Sequence, residues 1–194
     1  MADPLQKLFG SDARIKLLRL FLFNSRTQYT IPDAAQRARV PERTARKEVS
    51  LFSTIKLIRR VPTRKGSGLR FVLNEDFEYL SVLQSLLLNA PARAKDIYER
   101  ARGAGTLKLI MVAGVFLGEW DGRLDILFVG DRIKEPRLRA RMRKLESEIG
   151  RELRYTVLST EDFLYRLNMS DKLVRDVLDY PHRIVFDRLN IGLK

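Results

Sequence analysis

The phasing of one short helix constrains this chain most. Ala45, Val49 and Phe52 recur at four- and three-residue steps, so they share one face of a helix from Pro41 to about Ile55 and must point at a core. That choice turns Glu42, Arg43, Thr44, Arg46, Lys47 and Ser50 outward. A preceding helix is opened by Thr30-Ile31-Pro32-Asp33. Thr30 can cap it, Asp33 stands three residues on as in a capping box, and Pro32 fits the first turn. Its inner face is Ile31, Ala34, Ala35 and Ala38, and a turn near Arg39-Val40 separates the two helices. A strand from Lys56 to Val61 follows, then a tip from Pro62 to Gly68 and a return strand from Leu69 to Leu73. Arg39 and Lys56 occupy turns where glycine is common, and each gives up backbone freedom where a positive φ is wanted.

This order of elements resembles a winged helix-turn-helix. The resemblance implies double-stranded DNA as partner, with the second helix in the major groove. Arg43, Thr44, Arg46, Lys47 and Ser50 would then meet base edges and phosphates, and Arg64 and Lys65 at the hairpin tip would contact the backbone. Between Arg26 and Arg70, twelve basic residues are opposed only by Asp33, Glu42 and Glu48. The net charge of +13 over 194 residues points the same way, to a polyanionic partner, nucleic acid ahead of an acidic membrane surface. Such binding is strongly salt-dependent because it releases counterions.

Composition excludes several chemistries. Without cysteine there is no disulfide framework, thiolate nucleophile or cysteine-ligated zinc, and a lone histidine, His182, cannot build an imidazole-rich metal site. His182, between Pro181 and Arg183 with no visible partner, reads as a packed or solvated loop residue. No cofactor and no metal are expected. The N-terminus carries no signal-peptide pattern and no run is long and uncharged enough to span a bilayer, so a cytoplasmic location without membrane partners is expected.

Taken in order, Ser11 can cap a helix reaching Asn24 with Ile15, Leu18 and Leu22 on one face, widened by Leu17 and Phe21. Asn74 can cap another from Glu75 to about Leu88, with Phe77, Leu80, Leu83, Leu86 and Leu87 apolar. That wide arc either packs within the protein or supplies a homodimer seam. Asn89-Ala90-Pro91 marks the expected boundary between domains 1–90 and 91–194. Beyond it, after a short helix Ala92 to Arg102, the period changes. Leu107 to Val112 and Leu124 to Val129 read as strands, the second continuous enough in apolar residues to be central. An arginine-rich helix spans Pro136 to Ile149, a third strand Leu153 to Leu158, and Ser159 to Asp162 caps the helix Phe163 to Leu167. A further helix runs from Ser170-Asp171 to Leu178, and a short strand covers Arg183 to Phe186.

The segment from Ala113 to Val129, AGVFLGEWDGRLDILFV, resembles the core of the minimal nucleotidyltransferase fold, and Gly150 to Phe163 is similar to its third strand and helix entry. The expected class is therefore α+β overall, with an N-terminal winged helix-turn-helix and a small nucleotidyltransferase-like α/β domain containing a mixed sheet. The resemblance implies a Gly-Ser turn near phosphate and clustered acids for divalent metal. Here Val115 stands at the serine, Arg123 at the first acid, and only Asp125 matches the second, while Arg154 and Thr156 supply no carboxylate on the third strand. A domain without catalysis follows, Asp125 marking a vestigial active-site position paired with Arg123 or a nearby arginine. Glu119 and Asp121, on either side of Trp120, are the conceivable replacement acids.

The resulting expectation is a sequence-specific DNA-binding homodimer of the transcriptional-regulator type. Its second domain serves assembly or senses an unidentified protein or nucleotide ligand. The alternatives are a nucleotidyltransferase acting on nucleic acid or protein, and an antitoxin-like partner of a helical ribonuclease that uses the arginines of Arg137 to Lys144.

Overall fold

The computed structural model describes residues 4–61, 68–88, 93–120 and 122–190. The protein is mixed α and β and divides into two compact units, one of Met1–Leu88 with Lys144–Arg151, the other of Asn89–Arg143 with Glu152–Lys194. Among the described residues no helix is long and apolar enough to cross a membrane.

The first unit is built from α1 (Pro4–Leu8), α2 (Asp12–Leu22), α3 (Ile31–Ala38), α4 (Glu42–Thr54), the antiparallel hairpin β1 (Ile58–Val61) and β2 (Arg70–Leu73), and α5 (Leu80–Leu87). Ser11 caps α2 by accepting the Arg14 N–H. Thr30 and Asp33 form the complete capping box at α3, satisfying backbone donors that a helix start leaves open. Thr30 and its two backbone and hydroxyl bonds, the hydroxyl first, hold the Asp33 carboxyl below its ordinary value, with Arg70 and Arg37 adding to the effect. Arg39 closes α3 at φ 53° and Lys56 turns the chain out of α4 at φ 61°, the left-handed conformations their places in the turns demand.

Ile15, Phe21, Ala34, Ala45, Val49, Phe52, Leu57 and Phe71 share one core. Phe21 stands edge-on to Tyr29 at 5.6 Å and to Phe52 at 6.4 Å. Burying each of these phenyl rings contributes about 1.5–3 kcal/mol. Tyr29 also joins the hairpin, exchanging backbone hydrogen bonds with Phe71 at 2.9 and 2.8 Å.

The helix expected from Glu75 begins instead at Leu80. Asn74 does not cap it: its Nδ2 donates to the Lys56 carbonyl at 2.9 Å, tying down the foot of the hairpin, and its Oδ1 accepts from Asp76 N–H at 3.4 Å in a local turn. Leu87 is fully buried and Leu80 and Leu83 are partly so, whereas Tyr79, Val82 and Leu86 are exposed.

The second unit contains α6 (Ile97–Ala101), β3 (Thr106–Val112), β4 (Ile126–Asp131), α7 (Glu135–Ile149, whose last turns belong to the first unit), β5 (Tyr155–Leu158), α8 (Thr160–Asn168), α9 (Lys172–Leu178) and β6 (Arg183–Asp187). The sheet order is β5-β4-β3-β6. β4 lies parallel to β5 and antiparallel to β3, and β3 lies antiparallel to β6, so the sheet is mixed. As its apolar run requires, β4 is an inner strand and Ile126 to Val129 are buried. Leu109, Met111, Leu127 and Val129 pack with Phe163 of α8 and Val174 and Val177 of α9. Alternation sends Ile110, Ile126 and Phe128 to the opposite face. Tyr98 of α6 stacks on Phe186 of β6 at 4.1 Å.

Candidate nucleic-acid interface and the Asp125 pocket

Two charged places stand out, one in each unit. In the first, Pro41 sits at the start of α4 without a side-chain cap, and the inner residues Ala45, Val49 and Phe52 fix the rotation of the helix. Arg43, Arg46, Lys47 and Ser50 are consequently exposed, while Thr44 is half-buried at the rim of the core. Arg46 donates to Glu42 at 2.8 Å across one helical turn, an exposed pair that leaves most of its guanidinium in water. Arg64 and Lys65 lie outside the described residues.

Glu48 does not point outward. It belongs to the buried arc with Ala45, Val49 and Phe52, and its carboxylate accepts from Arg14 Nε of α2 at 2.8 Å with 4% of the side chain exposed. This pair fixes α4 on α2 and removes one of the few acids from the outer face. Beside that face an open groove of about 800 Å³ runs between α4 and the hairpin. Arg46 and Ser50 line one wall, and Lys56, Arg59 and Arg60 the other. Arg59 and Arg60 are both exposed although they are neighbours on β1. The adjacent arginines were visible in the sequence, but placing both beside α4 required the fold of the hairpin.

In the second unit Asp125 is fully buried at the entrance to β4. Its Oδ1 accepts from Val115 N–H at 3.1 Å and from Arg154 Nη2 at 3.3 Å, and its Oδ2 from Arg154 N–H at 2.8 Å and Nε at 3.2 Å. Gly114, at φ 51°, passes so close that a Cβ there would collide with the carboxylate. The carboxylate is thus enclosed by a backbone turn on one side and a guanidinium on the other. Any cation approaching it would have to displace Arg154.

Of the two alternatives expected for Asp125, Arg123 or a nearby arginine, Arg123 pairs instead with Asp176 of α9 at 2.7 Å, which raises its already high pKa. Arg154 takes its place because the parallel register sets Ile126 beside Tyr155, and hence Asp125 beside Arg154. Asp131 is engaged separately, accepting from Thr160 N–H at 3.2 Å and Thr160 Oγ1 at 3.0 Å. His182 is half-buried, its Nδ1 3.0 Å from the Tyr180 carbonyl. Among the described residues no group of three or more His, Asp or Glu side chains could hold a metal ion; Asp121 lies outside them.

Compared with known proteins, the chain matches no family model, no curated protein and no solved structure.

Proposed function

We propose that the protein is a sequence-specific double-stranded DNA-binding protein of the transcriptional-regulator type, working in the cytoplasm as a homodimer. In this reading the first unit is a winged helix-turn-helix. Its α4 enters the major groove, Arg43, Arg46 and Lys47 meet guanine edges and phosphates, and Lys56, Arg59 and Arg60 flank the same groove on the hairpin side. The observation that carries the reading is the rotation of α4. Every apolar residue of its arc is inside, the odd acid Glu48 is turned in with them, and a face of cations is left outside.

The second unit is read as a nucleotidyltransferase-like domain without catalysis, kept for assembly or for a ligand. The enclosure of Asp125 by Arg154 supports this, because phosphoryl transfer needs clustered carboxylates open to metal and triphosphate. The exposed Tyr79, Val82 and Leu86, at three- and four-residue spacing on a stretch without charge, support a second copy as the occupant of that face.

The test is selection of bound duplexes from a random pool, with the parent chain and with Arg43→Ala/Arg46→Ala. The parent enriches a palindrome. The variant loses it, with affinity for the selected site falling by about 1–3 kcal/mol per lost base contact. Binding without enrichment by the parent would reject the sequence-reading role.

A further inference from the structure

A cluster of cations in the second unit is not used by the α4 reading. The helix α7 and the loop before it are unusually basic: from Arg132 to Lys144 there are seven lysines and arginines and one acid, Glu135. The fold divides them by task. Arg141 Nη1 donates to the Arg100 carbonyl at 2.7 Å and to the Arg102 carbonyl, and Arg137 Nη1 donates to the Gly103 carbonyl at 3.0 Å. These bonds satisfy carbonyls left open where α6 ends. They also hold the loop after α6 against the start of α7. Lys134 N–H donates to the Ala104 carbonyl at 2.6 Å, and Gly105 lies so close to the loop after β4 that a Cβ would come within 2.7 Å of the Ile133 Cα.

The junction therefore brings together Arg102, Arg132, Lys134 and Arg137 from segments far apart in sequence, and all four are exposed. Among the described residues, Arg102 has Glu99 at 3.4 Å, and no carboxylate lies within ion-pair distance of Arg132, Lys134 or Arg137. Cations collected in this way repel one another until an anion arrives. Arg132 is held at φ 53°, a left-handed turn conformation it shares with Arg39 and Lys56. None of the four is aromatic, so the cluster is suited to charge and not to stacking on a base.

We propose that this junction is a second, sequence-independent contact surface for the phosphate backbone of nucleic acid, gripping through Arg102, Arg132 and Lys134 while Arg137 and Arg141 keep the loops in place. The identity of the polyanion as DNA rests on the reading of α4. The surface would supply affinity and salt dependence, and α4 would supply choice of sequence.

The test uses the full chain with Arg102→Gln/Arg132→Gly/Lys134→Gln, which spares the two structural arginines and relieves the backbone at position 132. The expected slope of log affinity against log salt concentration is shallower by about 2–3, near 0.9 for each lost phosphate contact. Affinity falls alike for all duplexes, the selected palindrome is unchanged, and the melting temperature is equal or higher. An unchanged slope with parental affinity overturns the proposal. So does a parent chain that fails to bind DNA, or a variant that loses binding to phosphatidylserine vesicles while its DNA slope stays parental. Arg43→Ala/Arg46→Ala, run in parallel, separates the two readings: retained sequence choice in that variant counts against α4 and leaves the slope test of the junction standing.

Discussion

The α4 face and the Asp125 pocket put charge to opposite uses. On α4 the cations stand in water on a helix whose other side is apolar, and their nearest acid, Glu42, takes up only part of Arg46. At Asp125 the charge is fully buried and each carboxylate oxygen is hydrogen-bonded. Solvated charge contributes little to the fold and stays available to a partner. Enclosed charge is committed to the fold, and withdrawing Arg154 would leave Asp125 desolvated without its counterpart. Where a charge is placed, more than how many there are, separates surfaces for binding from joints in the scaffold.

Substitutions can break this contrast or sharpen it. The largest effect is expected at this pocket: Arg154→Ala leaves the fully buried Asp125 carboxylate without its counter-charge and should destabilise the second unit by about 3–5 kcal/mol, read by urea unfolding. A loss below about 1 kcal/mol would mean that water replaces the guanidinium and that the pocket is not a joint.

Glu48→Ala lies between the extremes, because Arg14 keeps 32% of its side chain exposed and can turn to solvent. A loss of about 1.5–3 kcal/mol is expected from the charged hydrogen bonds, again from urea unfolding. An effect as small as that of an exposed charge would move Glu48 into the class of Arg43, whose replacement by alanine should shift stability by less than about 0.5 kcal/mol.

A smaller effect than that of Glu48 belongs to Asp33, an exposed carboxylate that nonetheless has a structural task. Its pKa is lower in the folded chain than its ordinary value of 3.8. Its contribution is therefore fully present above the unfolded pKa and is lost as pH falls through the folded one. Asp33→Ala should cost about 1 kcal/mol near neutrality and nothing once both forms are protonated. Melting temperatures of the two proteins that differ equally at all pH values would rule out the capping-box account.

Much of the first unit is legible in its sequence because its signals are local. Caps at Ser11 and Thr30, and the spacing of Ala45, Val49 and Phe52, operate within one or two helical turns. The burial of Glu48 was legible too: it follows Ala45 by three residues, although its charge argued for the outside. The late start of α5 was not, because Asn74 finds the Lys56 carbonyl, eighteen residues back in the chain, in preference to the backbone ahead of it. Arg154 as partner of Asp125 depends on the register between β4 and β5, which no spacing in the sequence encodes. The division of α7 between arginines that hold the α6 loop and cations left outside likewise needs three dimensions.

The pairing of β3 with β6 also has a consequence in time. Leu109, near the start of the second unit, is matched with Asp187, close to its end. The loop-closure entropy of that pairing is met only when almost the whole unit has been made. α2, α3 and α4 find one another over much shorter stretches of chain. During synthesis the cationic helix face is therefore assembled early, and the sheet around Asp125 receives its last strand only after the other elements of its unit have been made.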